Sequence, residues 1–258
     1  LFYKDIDFSK FSSIKIGQVE RVLIVERGDT IPTDRFIVGG ANNLLISPNP
    51  PPLMKLSKDF SYIEKDGDSL FIGASTLNGK LISFAKRYNI GGFEFMAKLP
   101  GTIGGMVAMN AGLKNYEIFN IIKRVKINNS WIEKEDIEYG YRFAKLRGVV
   151  TDIEFTIKRG FNYTLLDTLY ALRNNQPKEP SAGSIFKNPK GDFAGRLIDE
   201  VGLKGYRKGG MEFSRVHANF LVNMGGGTFK DAKYLIELAK KRVYERFCIN
   251  LVEEIKLL

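Results

Sequence analysis

With 258 residues, 44% of them hydrophobic and 26% charged, the chain can bury a substantial core and is not a disordered polymer. One cysteine and one histidine, Cys248 and His217, exclude a disulfide framework and a Cys/His zinc cluster, so a reducing compartment and no metal are expected. The formal charge of +10 favours anionic ligands, but basic residues are spread along the whole chain, as in Lys86-Arg87, Lys123-Arg124 and Lys240-Lys241-Arg242, rather than gathered in the stripe of a nucleic-acid binder.

No run approaches the roughly 18 apolar residues needed to cross a bilayer. A soluble, cytoplasmic protein with neither nucleic-acid nor membrane partners is expected. Short β-rich runs come first, at residues 22–25, 36–38, 43–46 and 70–72, separated by Gly, Pro and Asp turn signals. Residues 78–88 carry Leu81, Ile82, Phe84 and Ala85 at helical spacing, with Lys86 and Arg87 at the end where the helix dipole favours cations. Strands resume at 125–128 and 149–158, where Ile153, Phe155 and Ile157 alternate with polar residues. Residues 163–174 read as a helix with Leu165, Leu166, Leu169 and Leu172 on one face. A last long helix starts at the N-cap Thr228, with Asp231 three residues on, and turns Ala232, Leu235, Ala239, Val243 and Phe247 inward. A closing strand over 250–258 completes an α+β chain.

Three segments are too rich in glycine and polar residues to be ordinary turns. In Val38-Gly39-Gly40-Ala41-Asn42-Asn43, small residues leave main-chain N–H groups open to an anion such as a pyrophosphate; a tight hairpin between two strands is the other reading. Residues 99–112, LPGTIGGMVAMNAG, suit close approach of backbone to a large planar ligand, or a small-residue helix packed in the core. They lack the Gly-Lys-Ser/Thr of a Walker loop and are not a GxGxxG fingerprint. In Pro180-Ser181-Ala182-Gly183-Ser184-Ile185-Phe186-Lys187-Asn188-Pro189, Ser184 can offer a hydroxyl while Lys187 and Asn188 offer a cation and an amide, unless Ser184 is a plain turn residue. A Ser-His-Asp hydrolase fits poorly, because the GxSxG elbow is absent and His217 is the lone histidine.

Taken in order, these segments resemble the UDP-N-acetylenolpyruvoylglucosamine reductase (MurB) family. The resemblance continues through Glu138-Tyr139-Gly140-Tyr141-Arg142, residues 195–205, residues 217–223 and the C-terminal residues 251–255, and so covers nearly the whole chain. It implies a FAD-binding fold of the vanillyl-alcohol-oxidase (PCMH) type in two subdomains, 1–56 and 57–160, followed by a C-terminal α+β substrate domain, 161–258. FAD would be held by Gly39, Gly40, Ala41, Asn42 and Asn43 and by Gly101, Thr102, Ile103, Gly104, Gly105, Asn110, Ala111 and Gly112. Its attachment would be non-covalent, since no His or Cys precedes position 217.

The same resemblance implies NADPH as co-substrate and reduction of an enolpyruvyl ether on a UDP-amino sugar during peptidoglycan precursor synthesis. Arg142 and Glu254 would stabilise the carboxylate and enol, Ser184 would give the proton, and Lys187 and Asn188 would hold the substrate diphosphate. His217 is expected to be a structural, hydrogen-bonded imidazole. The chain departs from the family pattern at Tyr141-Arg142-Phe143-Ala144, where Tyr-Arg-x-Ser is usual, and at Leu251-Val252-Glu253-Glu254, where Leu-Glu-x-Glu is usual. The second departure leaves two neighbouring glutamates to choose between, or two solvated glutamates on a terminal strand. The short interval from Arg142 to Val150 resembles the subclass without a tyrosine-bearing insertion, and a monomer acting on a small-molecule UDP-sugar is expected.

Overall fold

The computed structural model describes all residues, 1–258. Contacts divide the chain into two compact units: Leu1–Lys4, Val22–Gly40 and Pro52–Asn174 form the first, and Asp5–Arg21, Ala41–Pro51 and Asn175–Leu258 the second. This division differs from the three consecutive segments expected. Strands Phe36–Ile37 and Leu53–Leu56 pair with each other inside the first unit, whereas Leu44–Leu45, lying between them in sequence, pairs with the C-terminal Lys256–Leu257 inside the second.

In the first unit, Leu53–Leu56 runs parallel to Val19–Val25 on one side, with Leu23 opposite Met54, and parallel to Phe36–Ile37 on the other. Residues 22–25 are continuously buried, as a parallel strand covered on both faces requires. A second, antiparallel sheet has the order Ser130–Glu133, Ile122–Ile127, Val150–Thr156, Ser69–Gly73, Ile63–Asp66. Its central strand alternates as expected, with Ile153 and Phe155 fully buried among Leu70, Ile72 and Phe93.

The polar residues of that strand are buried too. Asp152 accepts hydrogen bonds from Arg27 at 3.0 Å and from the Tyr62 hydroxyl at 2.6 Å. Glu154 accepts from Ser69 at 2.6 Å, Lys123 at 2.8 Å and Arg124 at 2.5 Å. Burial alone would raise the Glu154 carboxyl, but these three donors outweigh it and hold it at about 2. For Tyr62, burial and the Asp152 charge act together and push the phenol up to about 12.

Helix Asn78–Arg87 turns Leu81, Ile82 and Ala85 inward. Helix Tyr163–Ala171 is capped by Asn162, whose side chain accepts from Leu165 N. Its buried stripe is Leu166 and Leu169, while Leu172 lies past the last turn and is 37% exposed, so the expected four-leucine face is shorter than the spacing suggested. Buried Glu94 fixes the start of this helix, accepting from Gly92 N and Asn162 N, both at 2.7 Å.

In the second unit, an antiparallel sheet has the order Ser181–Ser184, Phe220–Asn223, Met211–Phe213, Arg207–Lys208. Helix Phe229–Phe247 packs Ala232, Leu235, Ile236, Ala239 and Val243 into its core, with Phe247 partly buried. Thr228 caps it as expected: its Oγ1 accepts from Asp231 N and donates to Asp231 Oδ2. The closing strand is realised only at Lys256–Leu257, with one isolated bridge between Phe186 and Glu253. Helix Ala194–Glu200 was not anticipated; its stripe of Ala194, Leu197 and Ile198 is one turn wide, too short for periodicity to reveal. No helix is long and apolar enough to cross a membrane.

The Glu154 cluster gives a pH dependence with a defined sign. The folded carboxyl titrates near 2 against an ordinary value of 4.5, so its stabilisation is complete above about pH 4.5 and lost as pH falls toward 2. Urea unfolding at pH 7 and pH 3 should show a loss for the wild type that Glu154→Gln lacks, at most about 3 kcal/mol. Equal losses in both proteins would remove the assignment.

Candidate active site

The glycines of the first two motifs are there for close backbone packing. A Cβ on Gly39 would lie 2.7 Å from Thr102 Oγ1, and one on Gly104 would lie 2.8 Å from Ala74 Cβ. Gly101, at φ +125°, occupies backbone space that other residues avoid. Thr102 caps helix Ile103–Ala108 by accepting from Gly105 N, so the second motif is a tight turn followed by a short small-residue helix. The hairpin reading of the first motif is excluded, since Phe36–Ile37 and Leu44–Leu45 belong to different sheets.

Several side chains expected to touch a cofactor are already engaged within the protein. Asn110 is fully buried; its Nδ2 donates to Glu117 at 2.8 Å and to Gly140 O at 2.9 Å, and its Oδ1 accepts from Phe119 N at 3.3 Å. Asn42 donates to Ser13 Oγ at 2.5 Å, and Asn43 Nδ2 donates to Glu254 O at 2.9 Å. Ala41 sits at φ +50° and is buried, and its carbonyl accepts from Ser13 N. Lys55 was not singled out from the sequence, where it is one cation inside an apolar strand. Its Nζ donates to Gly39 O at 2.6 Å, and burial lowers its pKa. Main-chain amides of residues 39 and 40 backed by a half-buried ammonium are a donor set that fits the pyrophosphate of a dinucleotide.

Arg142 has φ +60°, unusual for a residue with a side chain, and its Nη2 donates to Gly112 O at 2.9 Å. The guanidinium thus reaches the end of the glycine loop. Gly112 itself allows the backbone of the turn to close, because a Cβ there would lie 2.1 Å from Tyr116 O.

In the second unit, the strand carrying Ser184 is irregular. Ser181 pairs with Val222 and Ser184 with Phe220, so the register shifts across Ala182 and Gly183, the latter at φ +80°. Such a bulge re-aims the side chain that follows it. Beyond Ser184 the ladder is continued by one residue: Asn219 O accepts from Ile185 N at 2.9 Å, its side-chain Oδ1 from Phe186 N at 3.0 Å, and its Nδ2 donates to Phe186 O at 2.8 Å. On the other side, Glu254 N donates to Ile185 O and Lys187 N to Val252 O, both at 2.8 Å. Ser184 and Glu254 are therefore brought onto adjoining backbone. Glu253 makes an ion pair with Lys240 at 2.5 Å; burial alone would lower Lys240, and the bonds to Glu253 and Glu237 raise it.

Asn188 Oδ1 accepts from Ala194 N at 3.1 Å, fixing the loop before helix Ala194–Glu200. His217 Nδ1 accepts from Asn219 N at 3.2 Å, and burial, aided by the Lys204 charge, pushes the imidazole down toward its neutral form. The imidazole is thus hydrogen-bonded, as expected. No group of three or more His, Cys, Asp or Glu stands where it could hold a metal ion.

The first unit thus offers glycine turns beside the half-buried Lys55, and the second unit a bulged serine on backbone adjoining that of Glu254. The family model of the MurB C-terminal domain matches residues 176–258. The chain is 45% identical over 257 residues to the UDP-N-acetylenolpyruvoylglucosamine reductase of Helicobacter hepaticus, covering 98% of both, and 45% identical over 255 residues to that of Campylobacter jejuni strain RM1221, covering 97% of this chain and 98% of the relative. A crystal structure of the MurB reductase from Thermus caldophilus superposes with a TM-score of 0.88 at 29% identity, over 99% of this chain and 98% of that one. The chain belongs to the UDP-N-acetylenolpyruvoylglucosamine reductase (MurB) family and is an oxidoreductase with the α+β fold the resemblance implied.

The three bonds of Asn110 predict a structural penalty. Asn110→Ala strands the buried Phe119 N, removes the donor to half-buried Glu117, and should cost about 2–4 kcal/mol in urea unfolding of the ligand-free protein. A loss below about 1 kcal/mol would mean that the loop holds itself without this amide.

Proposed function

We propose that the chain catalyses the NADPH-dependent, FAD-mediated reduction of UDP-N-acetylglucosamine enolpyruvate to UDP-N-acetylmuramate in peptidoglycan precursor synthesis. The observation that carries this reading is full-length identity of 45% to a named reductase of that substrate, together with the bulged Ser184 beside Glu254. FAD would be held by residues 39–43 and 101–112 and, when bound, would supply hydride-transfer chemistry between NADPH and the terminal carbon of the enolpyruvyl double bond.

As that carbon gains the hydride, the electron pair of the double bond moves onto the adjacent carbon and its carboxylate. Arg142 meets this charge: its planar guanidinium stays protonated and can bond two carboxylate oxygens at once. The left-handed backbone of Arg142 and its anchor on Gly112 O support this role, since conformational strain of this kind concentrates at functional sites. Glu254, hydrogen-bonded or protonated, stabilises the enol form, and Ser184 donates the proton that completes the saturated product. A serine is too weak an acid to act unless its proton is replaced and its anion is stabilised, so a neighbouring donor serves it. Lys187 and Asn188 hold the substrate diphosphate.

Between the two glutamates, the geometry favours Glu254. Glu253 is held by Lys240 of helix Phe229–Phe247, and successive residues of an extended segment point to opposite sides.

Anaerobic absorbance tests the reading: purified protein should carry a flavin spectrum, bleach with NADPH, and recover rapidly on adding UDP-N-acetylglucosamine enolpyruvate. Bleaching without recovery would force another acceptor, and a colourless protein that takes up no FAD would end the proposal. Ser184→Ala should keep flavin reduction by NADPH and lose reoxidation by substrate by about 10²–10⁴-fold. Glu254→Gln should show the same split, with Glu253→Gln staying within about threefold of wild type; the opposite ranking would move the role to Glu253.

A further inference from the structure

Resting on the reading that FAD binds at the first glycine motif, we infer that Lys55 is a positioning residue for the cofactor's pyrophosphate, acting through the Gly39–Gly40 peptide. Lys55 Nζ donates to Gly39 O at 2.6 Å. There is no cis peptide in the chain, so the Gly39 carbonyl and the Gly40 N–H point to opposite sides of one planar unit. Holding the carbonyl on the Lys55 side turns the Gly40 N–H the other way.

Gly39 also packs against Thr102, whose Oγ1 stands 2.7 Å from the place a Cβ would take and accepts from Gly105 N. A side chain at 39 has no room beside Thr102, and the hydrogen bond from Lys55 sets the direction of the carbonyl. An ammonium on its carbonyl also polarises it, which strengthens the Gly40 N–H as a donor to an anion, as along any chain of linked hydrogen bonds. Burial lowers the Lys55 pKa, so the charge is kept there at a cost that a diphosphate in front of Gly40 offsets.

The test compares FAD with riboflavin, which has the ring system but no phosphate. Lys55→Met should weaken FAD binding about tenfold or more, the size expected for losing one charge-assisted bond, and leave riboflavin binding unchanged. The unfolding temperature of the ligand-free variant should be equal to or above that of wild type, and Lys55→Arg should restore most of the FAD affinity. Wild-type FAD affinity in Lys55→Met, or equal weakening toward FAD and riboflavin, overturns the inference. Wild-type protein that binds no FAD overturns the underlying reading instead. Should Lys55→Met fail to fold, NMR of 15N-glycine-labelled wild-type protein decides. Inorganic pyrophosphate or ADP should shift the Gly40 amide proton downfield, and an unmoved Gly40 resonance refutes the role.

Discussion

What the first unit can present depends on how the loop at 101–105 docks on the chain at 74–78. Four bonds make the joint: Gly104 N to Ala74 O, Ile103 N to Thr76 O, Asn78 N to Gly101 O, and Asn78 Nδ2 to Leu99 O. Ala74 N in turn donates to Thr151 O of the central strand, so the loop is an extension of the sheet's own hydrogen bonding. Glycine at 104 is the condition for this, because any Cβ would meet Ala74 at 2.8 Å. The central strand that bears the load is buried on both faces, and Asp152 and Glu154 are tolerated there because each is satisfied by several donors. Glycine loop, sheet and ion-paired face are consecutive links of one chain of constraint.

The second unit solves a similar problem with side-chain amides. Asn219 replaces a missing stretch of strand beside Ile185 and Phe186, and Asn223 Nδ2 reaches Ile14 O at 3.0 Å while its Oδ1 accepts from Gly225 N and Gly227 N. A carboxamide offers a donor and an acceptor in the same geometry as a peptide, so it can pair irregular backbone that no strand can follow. Asn110 and Asn43 do the same work. The asparagines at 43 and 110 thus shape the loops through internal hydrogen bonds.

The reach of such bonds explains which features were legible in the sequence. Glycine runs announce close backbone approach whatever lies nearby, and Thr228 with Asp231 announces a helix start within four residues, so both could be read locally. The tasks of Asn110, Asn219 and Lys55 depend on partners that folding brings from 30 residues away in Asn110 to Gly140, 33 in Asn219 to Phe186 and 16 in Lys55 to Gly39. Asp152 and Glu154 read as the polar side of an alternating strand, and alternation alone cannot tell a solvated face from one roofed by Arg27, Lys123 and Arg124. The domain division was hidden for the same reason, since Leu44–Leu45 takes its partner from the far end of the chain.

The pair Glu253 and Glu254 shows how register alone can separate two like neighbours. Their side chains have the same acid, and in an extended segment they differ only in the side on which they stand. Two backbone bonds, Lys187 N to Val252 O and Glu254 N to Ile185 O, fix the segment against the serine strand, and the Lys240 ion pair holds Glu253 to the long helix. A slip of one residue would exchange the two carboxylates and leave Lys240 facing the wrong one. The cap at Thr228 contributes to the same end, because it sets where helix Phe229–Phe247 begins and hence the height at which Lys240 emerges. The position of Glu254 is therefore specified by a helix cap, an ion pair and two backbone hydrogen bonds, none of which involves its own side chain.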